Sequence, residues 1–178
     1  LPWLPPEPIG SFRRAHYPTG HLLAPHLTVV FPVSAAAIDG EAFRNHAREV
    51  VSRMPAFEIR LTGLEKSWDH WLFLAVAQGH DEIVALHEAL YTDILHPYLW
   101  AEHPYVPQVG LGHFAVEQDT GDPLELRDRE FDRARYDEAR REAEALHLDY
   151  TGRFDSVHIF GLNESLTHVT PLEEIALA

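Results

Sequence analysis

The sequence predicts an α+β fold built on a mixed or antiparallel sheet, because strand-like runs come in neighbouring pairs separated by single helical patterns instead of alternating one for one with helices. Size supports one core: 178 residues, 46% hydrophobic and 24% charged, suit a single globular domain. No linker-like break interrupts the chain, so residues 1–178 are expected to form one domain.

The elements follow in order. Pro2, Pro5, Pro6 and Pro8 predict an extended opening, an edge strand entering a turn, since proline removes ladder donors. Residues 26–33, His-Leu-Thr-Val-Val-Phe-Pro-Val, carry the strongest strand signal of the first half. Asp39 is an N-cap candidate for a helix whose apolar stripe is Phe43, Ala47, Val50 and Met54, with Pro55 near its end. Phe57, Ile59 and Leu61 alternate with Glu58 and Arg60, and 71–77 is a continuous apolar run. These predict two strands of a hairpin joined through residues 62–70. Ile83, Leu86, Leu90 and Ile94 mark a second helix that lasts until Pro97. Residues 105–115 read as a strand. Dense charge over 124–148, with Phe131, Ala139, Ala143 and Leu146 as a narrow stripe, predicts a long surface helix with internal ion pairs. Residues 156–161 and 171–177 supply the last two strands.

Charge narrows the partners. Twenty-eight acidic residues against fourteen basic ones give a formal charge of −14, which argues against a broad grip on long nucleic acid and leaves room for a small phosphate in one pocket. Without cysteine there are no disulfides, thiolate zinc sites or cysteine nucleophile, and a cytoplasmic location is the default expectation. No apolar run reaches membrane-spanning length, and the proline-rich opening does not read as a signal peptide. Thirteen histidines would bring the charge from −14 to −1 if all were protonated. None has the helical i, i+4 spacing of a metal pair, so no metal or other cofactor is expected.

The chemistry candidates lie on two strand-like segments. Residues two apart on a strand share a face, so His26 and Thr28 present an imidazole for proton transfer and a hydroxyl for a phosphate oxygen. A lone His-x-Thr is equally a cross-strand polar pair. A faint echo of this segment occurs later, where Val106-Pro107-Gln108-Val109-Gly110-Leu111 repeats the frame of Ala24-Pro25-His26-Leu27-Thr28-Val29. Trp71 and Phe73, or Tyr105, could form an aromatic wall for a base or belong to the core. Arg60 and Lys66 could reach a phosphate or be solvated charges.

The run Pro25-His26-Leu27-Thr28-Val29-Val30-Phe31-Pro32, the later Pro104-Tyr105-Val106-Pro107 strand and the 157–162 segment together resemble the two-histidine phosphoesterase superfamily, the LigT-like or 2′-5′ RNA ligase family. The resemblance implies a bilobal α+β fold with mostly antiparallel sheets facing a central cleft, helices outside, and one His-x-Thr or His-x-Ser motif from each half. It implies metal-independent cleavage of 2′,3′-cyclic phosphates or 2′-5′ phosphodiesters, and as partners a small phosphate, cyclic nucleotide or RNA end. The first motif falls on His26 and Thr28, expected as catalytic residues. The second falls on Gln108 and Gly110, where the family has a histidine and a hydroxyl, so weak or absent turnover is expected, with Gln108, Gly110, Tyr105 and Trp71 as binding residues. His113 is offset to the opposite face unless a bulge intervenes, His103 would need loop placement, and His168-Val169-Thr170 lies too far along the chain to be the motif. The rival functions are a nucleotide- or phosphate-binding module without turnover, and an interaction domain using the charged 129–146 helix.

Overall fold

Alternation along one strand sets the plan. In β1 (Phe57–Lys66) Ile59 and Leu61 are fully buried while Glu58 and Arg60 face water, so one side of the strand demands a core. The computed structural model, which describes residues 1, 4–17, 20, 22–116, 130–163, 165 and 167–178, supplies that core with two antiparallel sheets and helices. β2 (Trp71–Gln78) and β4 (Asp149–Phe154) flank β1, and β3 (Gln108–His113) pairs with β2, giving the order β3-β2-β1-β4. β5 (Ser156–Leu162) and β6 (Val169–Ala176) form a separate two-stranded sheet. The expected α+β class with antiparallel sheets is what the structure contains.

Among the described residues four helices accompany the sheets: α1 (Ile9–His16), α2 (Gly40–Val51), α3 (His80–Leu90) and α4 (Arg133–Ala145), with a 3-10 turn at Asp93–Tyr98. Asp39 caps α2 by accepting a hydrogen bond from the Ala42 amide at 2.7 Å, as its position suggested. At the other hairpin end, Gly79 turns the chain from β2 into α3 with φ +82°. A Cβ there would lie 2.9 Å from the Glu58 carbonyl, so this turn needs glycine. None of the helices is long and apolar enough to cross a membrane, among the described residues.

Several expectations change. The proline-rich opening leads into α1, whose Ile9 and Phe12 enter the core, instead of an edge strand. Residues 26–33 form no strand; their only ladder contact is a bridge from Leu27 to Val109. Side chains have taken their backbone groups instead, as described below. β1 extends through Lys66, and β4, a strand with few apolar residues, was not foreseen. The charged helix begins only at Arg133, with Phe131 bridged to Ala115; residues 124–129 of that segment lie outside the described ones. Its buried face is Tyr136, Ala139 and Ala143.

Candidate functional site

β3 is paired on one edge with β2 and is bridged on the other by the 26–31 segment. The bridge is antiparallel and joins Leu27 to Val109. Antiparallel pairing therefore sets Thr28 beside Gln108 and His26 beside Gly110. Val109 is fully buried in the core, and Leu27 packs against that core. Their flanking residues point the other way, so His26, Thr28, Gln108 and Gly110, all half-buried, share the opposite face.

On this face the His26 ring is fixed by its Nδ1–H, which donates to the Ala24 carbonyl at 2.8 Å. Nε2 is left as the proton-accepting nitrogen. Burial lowers the His26 pKa below the ordinary imidazole value; the Ala24 carbonyl opposes this, and the positive charge of Arg13 adds to it. His26 is thus held neutral and basic at Nε2. Across the bridge, the Trp71 ring lies 3.4 Å from where a Gly110 Cβ would stand. The indole lines the space beside Gly110.

Tyr105 is a support for the first motif. Its hydroxyl donates to the Thr28 carbonyl at 2.9 Å, its ring lies flat on His87 with centroids 3.8 Å apart, and burial keeps its phenol protonated. His87, 4% exposed, donates from Nδ1 to the Val29 carbonyl at 2.8 Å, and burial lowers its pKa. The Tyr91 hydroxyl accepts from the Phe31 amide at 3.0 Å. Three side chains thereby hold residues 28–31 where a neighbouring strand would otherwise do so. His87 had a sequence signal, a polar residue four positions after Ile83 on the apolar stripe of α3; Tyr91 had none. An aromatic series continues outward from Tyr105 through Phe31 to Trp100, the last two stacked at 5.7 Å and exposed.

The other histidines can be placed. The register of β2 with β3 pairs Phe73 with Gly110 but Leu72 with Gly112, so Leu111 is a one-residue bulge. The bulge turns His113 onto the face of Gln108 and Gly110, where its ring meets Trp71 at 4.8 Å. Five residues of strand, about 16 Å, still separate it from Gln108, and it lies past Gly110, away from Thr28. Its Nε2 is bonded to the Asp69 carbonyl at 3.1 Å. His103 is stacked on Trp68 at 4.2 Å in the approach to β3. His168-Val169-Thr170 runs into β6, in the other sheet. Arg60 is committed to Asp149 by two hydrogen bonds, of 2.9 and 2.6 Å, and Lys66 sits over the Phe131 ring at 4.8 Å. Among the described residues no group of three His, Asp or Glu side chains could hold a metal.

Three comparisons bear on this arrangement. The sequence model of the 2′-5′ RNA ligase superfamily matches residues 2–160. No curated protein sequence matches the chain. Solved structures share the fold: one described as a phosphoesterase (18% identity, 98% of this chain and 93% of that one, TM-score 0.56), and E. coli LigT complexed with 3′-AMP (20% identity, 96% and 90%, TM-score 0.57). E. coli LigT complexed with ATP is a third, with 19% identity, 98% and 93% coverage, and a TM-score of 0.53.

Proposed function

The chain belongs to the 2′-5′ RNA ligase superfamily, and on that premise we propose that the face bearing His26, Thr28, Gln108 and Gly110 is a phosphate-ester site whose ligand is a cyclic phosphate or a short RNA or nucleotide end. Family membership supports phosphoesterase-like function. The observation that carries the local reading is the Leu27–Val109 bridge, which sets the two motif segments side by side although some eighty residues separate them. LigT has been crystallised with 3′-AMP and with ATP, and this supports a small phosphorylated ligand for a chain of the same fold.

Opening a cyclic phosphate needs a base for the attacking water and an acid for the departing alkoxide on opposite sides of phosphorus. His26 Nε2 serves as one of these. The Thr28 hydroxyl and the Gln108 amide donate to nonbridging oxygens, but an amide does not exchange protons usefully near neutral pH. Turnover is therefore weak, and the second reading, a binding site without turnover, is favoured by one feature: both positions of the second motif, Gln108 and Gly110, lack a titratable or hydroxyl group.

Calorimetry with adenosine monophosphate and ³¹P NMR with 2′,3′-cyclic AMP test the proposal. Binding of the anion favours the protonated His26 ring, whose Nε2–H then donates one charge-assisted hydrogen bond to a phosphate oxygen, so His26→Ala should weaken binding about tenfold and should remove any slow hydrolysis. Hydrolysis at an ordinary enzymatic rate that persists in His26→Ala would place the chemistry elsewhere.

A further inference from the structure

We propose that Arg13 is the fixed positive charge of this phosphate site, a guanidinium held behind His26 that supplies the cation a second imidazole would otherwise provide and so selects a small phosphate anion. The inference rests on the phosphate-site reading and adds a residue from an element, α1, that carries neither motif.

Arg13 is 2% exposed, yet it makes no ion pair among the described residues. One terminal guanidinium nitrogen, Nη1, donates to the Leu23 carbonyl at 2.9 Å. The next carbonyl along the chain, that of Ala24, is the one that receives His26 Nδ1–H. Guanidinium and imidazole are thus anchored to consecutive peptide units. From the other side, the guanidinium carbon sits 5.5 Å from the centre of the Tyr17 ring. Tyr17 meets Trp71 edge-on at 4.7 Å, and Trp71 lines the space at Gly110, beside which His26 stands. The contacts form a closed chain that runs from Arg13 through Tyr17, Trp71 and Gly110 to His26 and returns to Arg13 through the Ala24 and Leu23 peptides.

Electrostatics gives the arrangement a purpose. A cation taken out of water without a carboxylate carries a desolvation cost that a nearby anion offsets, and the weaker screening of a buried position extends its field. Arg13 Nε has no hydrogen-bond partner among the described residues, and burial lowers the guanidinium pKa. The side-chain charge that acts on His26 is that of Arg13; of the other titratable groups around it, Tyr105 is a protonated phenol and His113 lies beyond Gly110. In a chain of net charge −14, this corner is locally positive. Such a corner favours an anion. The alternative is that Arg13 merely ties down the 22–26 loop through Leu23.

Charge and tie can be separated. Arg13→Gln keeps an N–H donor for Leu23 and removes the charge, whereas Arg13→Lys keeps the charge. Titrated with inorganic phosphate at pH 7.5, Arg13→Gln should bind about tenfold more weakly than the wild type, and Arg13→Lys should fall between them. In ligand-free protein followed by NMR, the His26 titration midpoint should rise in Arg13→Gln and stay near the wild-type value in Arg13→Lys. Unchanged phosphate affinity and an unchanged His26 midpoint in Arg13→Gln would overturn the assignment. If His26→Ala weakens phosphate binding while Arg13→Gln does not, the site reading stands and the Arg13 assignment falls. If His26→Ala leaves phosphate binding unchanged, the site reading itself falls, whatever Arg13→Gln does. Should Arg13→Gln fail to fold, the wild type decides: the Arg13 Nε–H signal is expected to shift on titration with inorganic phosphate in step with the His26 ring, and an Arg13 signal that phosphate leaves unmoved while His26 responds overturns the assignment.

Discussion

At the side chain of His26 two tendencies oppose each other: burial and neighbouring positive charge favour the neutral ring, while the Ala24 carbonyl favours the protonated one. The net direction is downward, so near neutral pH this histidine accepts protons better than it donates them. What the face lacks is a matching acid beside Thr28, the place held by Gln108. Gln108→His would put an imidazole there, with Thr28 next to it across the bridge. Its expected effect is a rise in 2′,3′-cyclic AMP hydrolysis toward the factor of about 10² to 10⁴ that a positioned acid or base contributes, measured by ³¹P NMR. Gly110→Thr is a poorer addition, because its Cβ would already touch Trp71 at 3.4 Å before the branched atoms are placed. If Gln108→His binds phosphate but gives no faster hydrolysis, His26 is not oriented for the reaction.

The 26–31 segment shows how an element can be held without being part of a sheet. One bridge fixes its register, and Tyr105, His87 and Tyr91 hold the backbone at Thr28, Val29 and Phe31. Each such hydrogen bond contributes about 1 kcal/mol net, and more is lost when a buried partner is left unsatisfied. Tyr105→Phe should therefore lower stability by about 1 kcal/mol in denaturant unfolding. Tyr91→Phe should speed exchange of the Phe31 amide, whose acceptor it removes, and Tyr105→Phe should affect that amide much less. Equal acceleration in both variants would mean that the segment opens as a unit and the ties do not act one by one.

Over the whole molecule, acidification sets two effects against each other. Protonating the thirteen histidines reduces the negative charge from −14 toward −1 and relieves self-repulsion. His26 and His87, however, both have folded pKa values below the ordinary one, because burial penalises the charged ring. The unfolded chain then binds more protons, so their stabilisation is complete above about pH 6.5 and is lost as pH falls through the folded values. The thermal midpoint should drop between pH 7.5 and 5.5. His87→Gln, which keeps a donor for Val29 but does not titrate, should show a shallower drop; an equal slope would assign the pH dependence to other groups.

The α+β class, the β1–β2 hairpin through the alternation of Ile59 and Leu61 with Glu58 and Arg60, and the Asp39 cap were all legible in the amino-acid sequence. These are local signals, since periodicity and capping depend on near neighbours in the chain. Tertiary structure decided the rest. α1 was hidden behind prolines because its helix is stabilised by burying Ile9 and Phe12. The strand propensity of residues 26–33 was overridden when α3 and the approach to β3 brought Tyr91, His87 and Tyr105 to its backbone. The face of His113 turned on one extra residue, Leu111, because strand side chains alternate with a period of two and a single insertion reverses every position beyond it. The burial of Arg13 beside His26 depends on where α1 docks, and no local pattern in the sequence encodes that contact.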